Sequence, residues 1–278
     1  MQSMSGDYGQ TAQRDVSAVL DVLVNKATDI ELQIAVARLP GLELTESLSI
    51  RLDGNRIVAD EIVTASGSRI HWLQVDAGEL HVEYSASVQT PADPAPVAEF
   101  DRSLYLRPSR YAEADKFFGF AAGQFDTSMP AAQQLVAVTD FVRQRLSYIF
   151  GASDPIDGAV DTLLSGAGVC RDFAHLVVAL LRALGIPARL VSVYAPGLYP
   201  MDFHAVAEAL IDGRWVVVDA TGLAPRQSLV RIASGRDAAD TAFLDSHGGD
   251  VVLRSYQVGA IVAGYLPIDD PSLQVQLR

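Results

Sequence analysis

Ten residues, TPADPAPVAE (90–99), place Pro91, Pro94 and Pro96 within six positions. Proline locks φ and has no N–H to give a sheet ladder or a helix, so neither element runs through this stretch. The apolar rhythm differs on its two sides. Before it, IELQIAV (30–36), IVADEIV (57–63), RIHWLQV (69–75) and ELHVEYSASV (79–88) alternate in polarity and carry β-branched and aromatic residues, the pattern of half-buried strands. Turn signals separate them at Pro40-Gly41, Asp53-Gly54-Asn55, Ser66-Gly67-Ser68 and Asp76-Ala77-Gly78. Short strands punctuated in this way predict an N-terminal antiparallel β-sandwich, with its linker, over residues 1–96.

Beyond the prolines the period lengthens. MPAAQQLVAVTDFVRQRLSYIF (129–150) sets Leu135, Val138, Val142 and Leu146 at helical spacing. A second helix is expected from Cys170, with Phe173, Leu176, Val177, Leu180, Leu181 and Leu184 on its apolar face. Gly185 can take a left-handed cap there, and Pro187 blocks continuation. ARLVSVY (188–194), FHAVAEALI (203–211) and RWVVVDA (214–220) read as strands, as does the tail DVVLRSYQVGAIVAGY (250–265). Helices followed by a β run predict an α+β core over residues 97–278 that includes those C-terminal strands.

Composition narrows the functional classes. The formal charge is −13, so phosphate backbones are repelled and a nucleic-acid partner is not expected. No apolar run spans a bilayer as a helix, and MQSMSGDYGQTAQRD lacks the basic flank and apolar core of a signal peptide. The single cysteine forms no internal disulfide, which suits a reducing compartment. The expectation is a cytoplasmic protein without a membrane partner.

That cysteine sits where a glycine-rich turn meets the second helix. Unpaired N–H groups and the positive end of the macrodipole face a thiol at a helix start and favour its thiolate form. Gly166 and Gly168 let the backbone approach a substrate, and the Cys170 N–H can face a developing oxyanion. A nucleophilic thiol also needs a base. His175, at i+5, lies about 140° around the helix from Cys170 and reads as solvated or supporting. His71 and His81 belong to the sandwich, and His247, in LDSHGGD, to a loop. His204 remains.

Its surroundings favour it. Asp212-Gly213 between two apolar strands is a two-residue hairpin signal, which pairs Ile211 with Arg214. Asp219 then falls diagonally across from His204 on the same sheet face, where a carboxylate can fix the imidazole's tautomer and stabilise its cation. A slip of one residue would put the two on opposite faces. Taken singly, each residue has an ordinary explanation: Cys170 as a small buried hydrophobe, His204 as a satisfied strand histidine, Asp219 as a strand-end cap. Asp172, in the helix's first turn, is explained by the dipole.

GAGVCRDFAHLVVALLRALGIPAR followed by DFHAVAEALIDGRWVVVDATG resembles the core of the transglutaminase-like superfamily. LYLRPSRYAEADKF upstream and GLAPRQSLVRIASGRDAADTAFLDSHGG downstream resemble its bacterial members, which carry a β-rich N-terminal domain. The resemblance implies a papain-like triad of Cys170, His204 and Asp219 on an α+β core, with no metal or cofactor needed and a peptide or protein as substrate. It departs from the family at Val206, where Trp is frequent, and at Ala220, where Pro is frequent. Tyr148 is a candidate second oxyanion donor. The expected reaction is cysteine-dependent hydrolysis of an amide or peptide bond; no calcium-loop pattern is visible. Acyl transfer to an amine on the same triad and a catalytically inactive binding module are the alternatives.

Overall fold

Alternating burial builds the N-terminal half of the computed structural model, which describes residues 13–89 and 91–278. The expectation that the opening segment is not a signal peptide rests almost wholly on residues outside these, and Thr90 of the linker also lies outside them. In β1 (Arg14–Lys26) every second residue from Val16 to Val24 is buried. It is followed by β2 (Thr28–Leu32), β3 (Leu44–Leu52), β4 (Asn55–Ile57), β5 (Asp60–Val63), β6 (Arg69–Val75) and β7 (Gly78–Val88). The expected strand over 57–63 is split between β4 and β5, which lie in different sheets, and Val58 at the crossing is exposed.

The remaining elements are α1 (Asp101–Leu104), α2 (Phe118–Gln124), α3 (Ala131–Arg145), β8 (Ser147–Tyr148), α4 (Ala159–Ser165), β9 (Ala167–Gly168), α5 (Cys170–Ala183), β10 (Ala188–Tyr194), β11 (Phe203–Ile211), β12 (Arg214–Val218), β13 (Val230–Gly235), β14 (Leu244–His247) and β15 (Asp250–Val262). The fold is α+β. Two antiparallel sheets, in the orders β15-β1-β7-β3-β4 and β14-β2-β6-β5, face each other over Leu20, Ile30, Leu73, Val82 and Tyr84. The tail strands therefore complete both N-terminal sheets: β15 runs along β1 from Arg14↔Val262 to Lys26↔Asp250, and β14 pairs with β2. Their alternation marked them as strands, yet periodicity carries no address for a partner. Covering the long free edge of β1 is a physical reason for this choice.

Helix α5 is buried on nearly all sides. Phe173, Leu176, Val177, Leu180 and Leu181 pack with Val138 and Val142 of α3 and with Ala207, Ala209 and Ile211 of β11. Each such leucine contributes about 1.5–3 kcal/mol by leaving water. The helix ends as expected, with Gly185 at φ 78°. The antiparallel sheet β12-β11-β10-β13 backs it, and that sheet also packs on the sandwich. There the Tyr194 hydroxyl donates to the Ile34 carbonyl at 2.7 Å. Among the described residues no helix is long and apolar enough to cross a membrane.

Candidate active site

The start of α5 is set by local chemistry. Gly166 closes α4 with φ 68°, and β8 and β9 form a short parallel ladder. In it Ser147 N–H donates to the Gly166 carbonyl at 2.9 Å and Ile149 N–H to the Gly168 carbonyl at 3.0 Å. The Asp172 carboxylate accepts the Val169 N–H at 2.8 Å, a reach-back cap that ends the extended chain at Val169 and starts the helix at Cys170. A Cβ on Gly168 would stand 2.7 Å from that of Asp172, so the cap requires glycine there. Asp172 thus serves the turn as well as the dipole. Arg171 pins the neighbouring loop, donating to Ser153 Oγ at 2.6 Å and to the Asp154 carbonyl at 2.8 Å.

Cys170 is partly exposed. The Tyr148 phenol is a neighbour of Cys170, near enough to interact with its backbone N–H and its thiol. Burial and the neighbouring Cys170 push the Tyr148 hydroxyl well above its ordinary range, so it stays protonated and able to donate.

On the sheet, β11 and β12 pair from Ile211↔Arg214 to Ala207↔Val218, the register expected from Asp212-Gly213. The two turn residues have φ 49° and 74°. Asp219 lies one residue beyond β12, and its Oδ2 meets His204 Nε2 at 2.9 Å. Its Oδ1 accepts from Thr221 N–H at 2.8 Å and from Thr221 Oγ1 at 2.6 Å. His204 Nδ1 is buried without a hydrogen bond of good geometry. Burial alone would depress the imidazole, but adjacent Asp219, helped by contact with the Cys170 side chain, pushes it up to about 10. For Asp219, burial works upward and is outweighed by His204 and by both Thr221 bonds, so its pKa is lowered. The pair is an imidazolium–carboxylate pair around neutral pH.

Cys170, His204 and Asp219 are therefore brought together. The other histidines are elsewhere. His175 is fully buried rather than solvated, because α5 has no free face at that position. Its Nε2 accepts the Ala238 N–H at 3.1 Å, its ring stacks on Tyr111 at 5.3 Å, and burial pushes it down to about 3. His71 is 3.7 Å from Glu61 and His81 is 2.7 Å from Asp21, both in the sandwich. His247 ends β14, 3.6 Å from Glu31. Val206 and Ala220 are both buried in apolar clusters, so these positions carry small aliphatic packing. Among the described residues no group of three or more His, Cys, Asp or Glu is placed to hold a metal ion.

Two further residues border the site. Asp202 accepts the Phe203 N–H at 2.7 Å and the Tyr256 hydroxyl at 3.1 Å. Asp202 stands two positions before His204, which is a usable signal. Tyr256 arrives on β15 from the sandwich, and nothing near it in sequence points to the site.

A thiol at a helix start, facing a buried His–Asp pair on an antiparallel sheet, has the layout of the papain-like thiol enzymes. The family pattern described as the Transglutaminase-like superfamily matches residues 119–220. A crystal structure from Cytophaga hutchinsonii, described as a putative cysteine protease, is 31% identical with a TM-score of 0.84, covering 97% of this chain and 96% of that one. An uncharacterized protein of Mycobacterium leprae is 26% identical over 216 residues, 74% of this chain and 68% of its own. One from Mycobacterium tuberculosis is 33% identical over 92 residues, a match that takes in 29% of that relative's length. The chain belongs to the transglutaminase-like superfamily.

Proposed function

We propose that Cys170, His204 and Asp219 form a catalytic triad that hydrolyses an amide or peptide bond in a peptide or protein substrate. The observation that carries this reading is the buried His204 ring, bound through Nε2 to Asp219 at 2.9 Å and within electrostatic reach of the Cys170 side chain. In the first step the Cys170 sulfur attacks the carbonyl carbon as the thiolate, with the proton held on His204. In this reading the Cys170 N–H and the Tyr148 hydroxyl donate to the resulting oxyanion. His204 then gives its proton to the leaving amine as the C–N bond breaks, producing a thioester. Water, losing a proton to His204, attacks that thioester. The acid product leaves, and the proton stays on His204 beside a restored thiolate. Asp219 remains anionic throughout and orients the ring.

Resolution of the same thioester by an amine would give acyl transfer, and the two outcomes share every residue named here. The test begins with alkylation of Cys170 by iodoacetamide between about pH 4 and 9. Fast reaction well below neutrality, with the inflection moved upward in His204→Ala, supports a thiolate–imidazolium pair. Reaction that begins only near the free-thiol range of about 8.5 in both proteins removes the nucleophile. Peptide mixtures incubated with and without a small amine then separate hydrolysis from transfer. Unaltered partner binding by Cys170→Ala, with no turnover by the wild type, would favour a binding module.

A further inference from the structure

Asp202 is a half-buried acid with no cation in direct contact, although the charge on His204 acts on it from a distance. Among the described residues it forms no ion pair, whereas Glu208 sits between Arg189 and Arg231, Asp269 meets Arg226, and Asp240 meets Arg236. One N–H and one hydroxyl occupy two of its roughly four lone-pair sites, leaving acceptor capacity unused. Burial raises its pKa, a sign that the charge is poorly compensated; a charge withdrawn from water is costly until paired.

The carboxylate is held in this position from outside its own sheet. Tyr256 lies nearly parallel to Phe203 with ring centres 6.3 Å apart, and it also packs at 5.8 Å from Phe243. Its hydroxyl is thereby fixed on Asp202. The location bears on the reaction. Asp202 lies within electrostatic reach of His204 and of Tyr148, and Tyr256 within reach of Cys170. Because His204 must hand its proton to the departing amine, that amine has to lie over the imidazole, and Asp202, two residues before His204 at the entry to the same strand, is within electrostatic reach of that ring.

We propose that Asp202 is a specificity-determining residue that favours a positively charged group on the amine side of the substrate, with Tyr256 of the sandwich as the residue that positions its carboxylate. The inference rests on the hydrolase reading for the words "amine side". The charge preference itself has a separate readout. In acyl transfer the same carboxylate would favour an acceptor carrying a second, protonated amine.

The test uses the lone thiol as its reporter. Cys170 is modified with the cationic trimethylammonioethyl and the anionic sulfonatoethyl methanethiosulfonates, and the ratio of the two rates is measured. Asp202→Asn should lower the cation-to-anion ratio by about tenfold, while the exposed Asp115→Asn, with the same change in total charge, should move it less than about twofold. Asp202→Ser, which keeps an oxygen for the Phe203 N–H, should reproduce the loss if the asparagine variant fails to fold. Tyr256→Phe should lower the ratio by less than Asp202→Asn, since the charge stays while its anchor goes. In parallel, a peptide pool cut by the wild type should show Lys and Arg enriched just after the cut bond, and Asp202→Asn should lose that enrichment. A ratio unchanged by Asp202→Asn, or a pool cut without charge preference, overturns the proposal. An uncut pool defeats the hydrolase reading and leaves the thiosulfonate ratio to judge Asp202.

Discussion

His175 and His204 are both buried, one on the central helix and one on the sheet behind it, yet their titrations are driven in opposite directions. His175 has a backbone N–H and the face of Tyr111 for company, and burial pushes it down to about 3. His204 has the Asp219 carboxylate at 2.9 Å and rises to about 10. The same low-dielectric interior that neutralises an imidazole strengthens its attraction to an anion once one is in contact. What separates a packing histidine from a candidate base here is a single carboxylate, held in turn by Thr221.

Removing the reactive groups gives the largest effect. Cys170→Ala and His204→Ala should each lower kcat/KM for amide hydrolysis by at least about a thousandfold, with circular dichroism unchanged for Cys170→Ala. His175→Gln should instead leave the shape of the pH–rate profile intact and reduce stability. If His175→Gln moved the alkaline limb of that profile, the contrast between the two histidines would collapse.

Asp219→Asn should come next, with a loss of about a hundred- to ten-thousandfold in kcat, because a neutral amide no longer favours the imidazolium. The rise to about 10 should vanish with it. Carbon-bound proton resonances of His204, followed by NMR, should titrate near that value in the wild type and well below it in the variant. The His175 resonances should show no titration down to about pH 4.

Stability should respond to pH with two different limbs. His204 has a folded pKa above its unfolded value of about 6.5, so its contribution is complete below that pH and is lost as pH rises toward 10. Asp219, lowered on folding, contributes above the ordinary carboxylate range and is lost in acid. His175 has a folded pKa below 6.5, so it favours the folded state above that pH and works against it as pH falls toward 3. Urea midpoints should therefore decline on both sides of neutrality. His204→Ala should flatten the alkaline limb and His175→Gln the upper part of the acid one.

Much of the central core was readable because its signals are local. Cys170 as the helix start, Gly185 as its left-handed end and the pairing of Ile211 with Arg214 each depend on residues within a few positions. The meeting of His204 and Asp219 follows from that hairpin alone. The approach of Cys170 required the family resemblance, since docking a helix end on a sheet edge is a tertiary event. Tyr256 was illegible for the same reason, magnified: it belongs to β15, whose alternation announces a strand but not its pairing with β1 across the whole chain. Of the two readings of His175, solvated or supporting, the solvated one fails, since the i+5 angle that turns it from Cys170 does not reveal that α3, α4 and the sheet enclose α5 all round.

The smallest expected effect concerns how firmly the nucleophile is placed rather than what surrounds the base. Asp172→Ala removes the carboxylate that takes the Val169 N–H at 2.8 Å and should cost about 1 kcal/mol of stability as a lost cap. Because Cys170 is the first residue of the capped helix, fraying there should also disturb its contact with Tyr148. Asp172→Asn keeps an acceptor for the Val169 N–H and should retain most of the stability. A fall in kcat for Asp172→Ala beyond what the asparagine variant shows, with KM little changed, would assign the cap a share in placing the sulfur. Equal kcat in both variants would confine Asp172 to folding, leaving the backbone ladder of β8 and β9 as what holds the thiol toward His204.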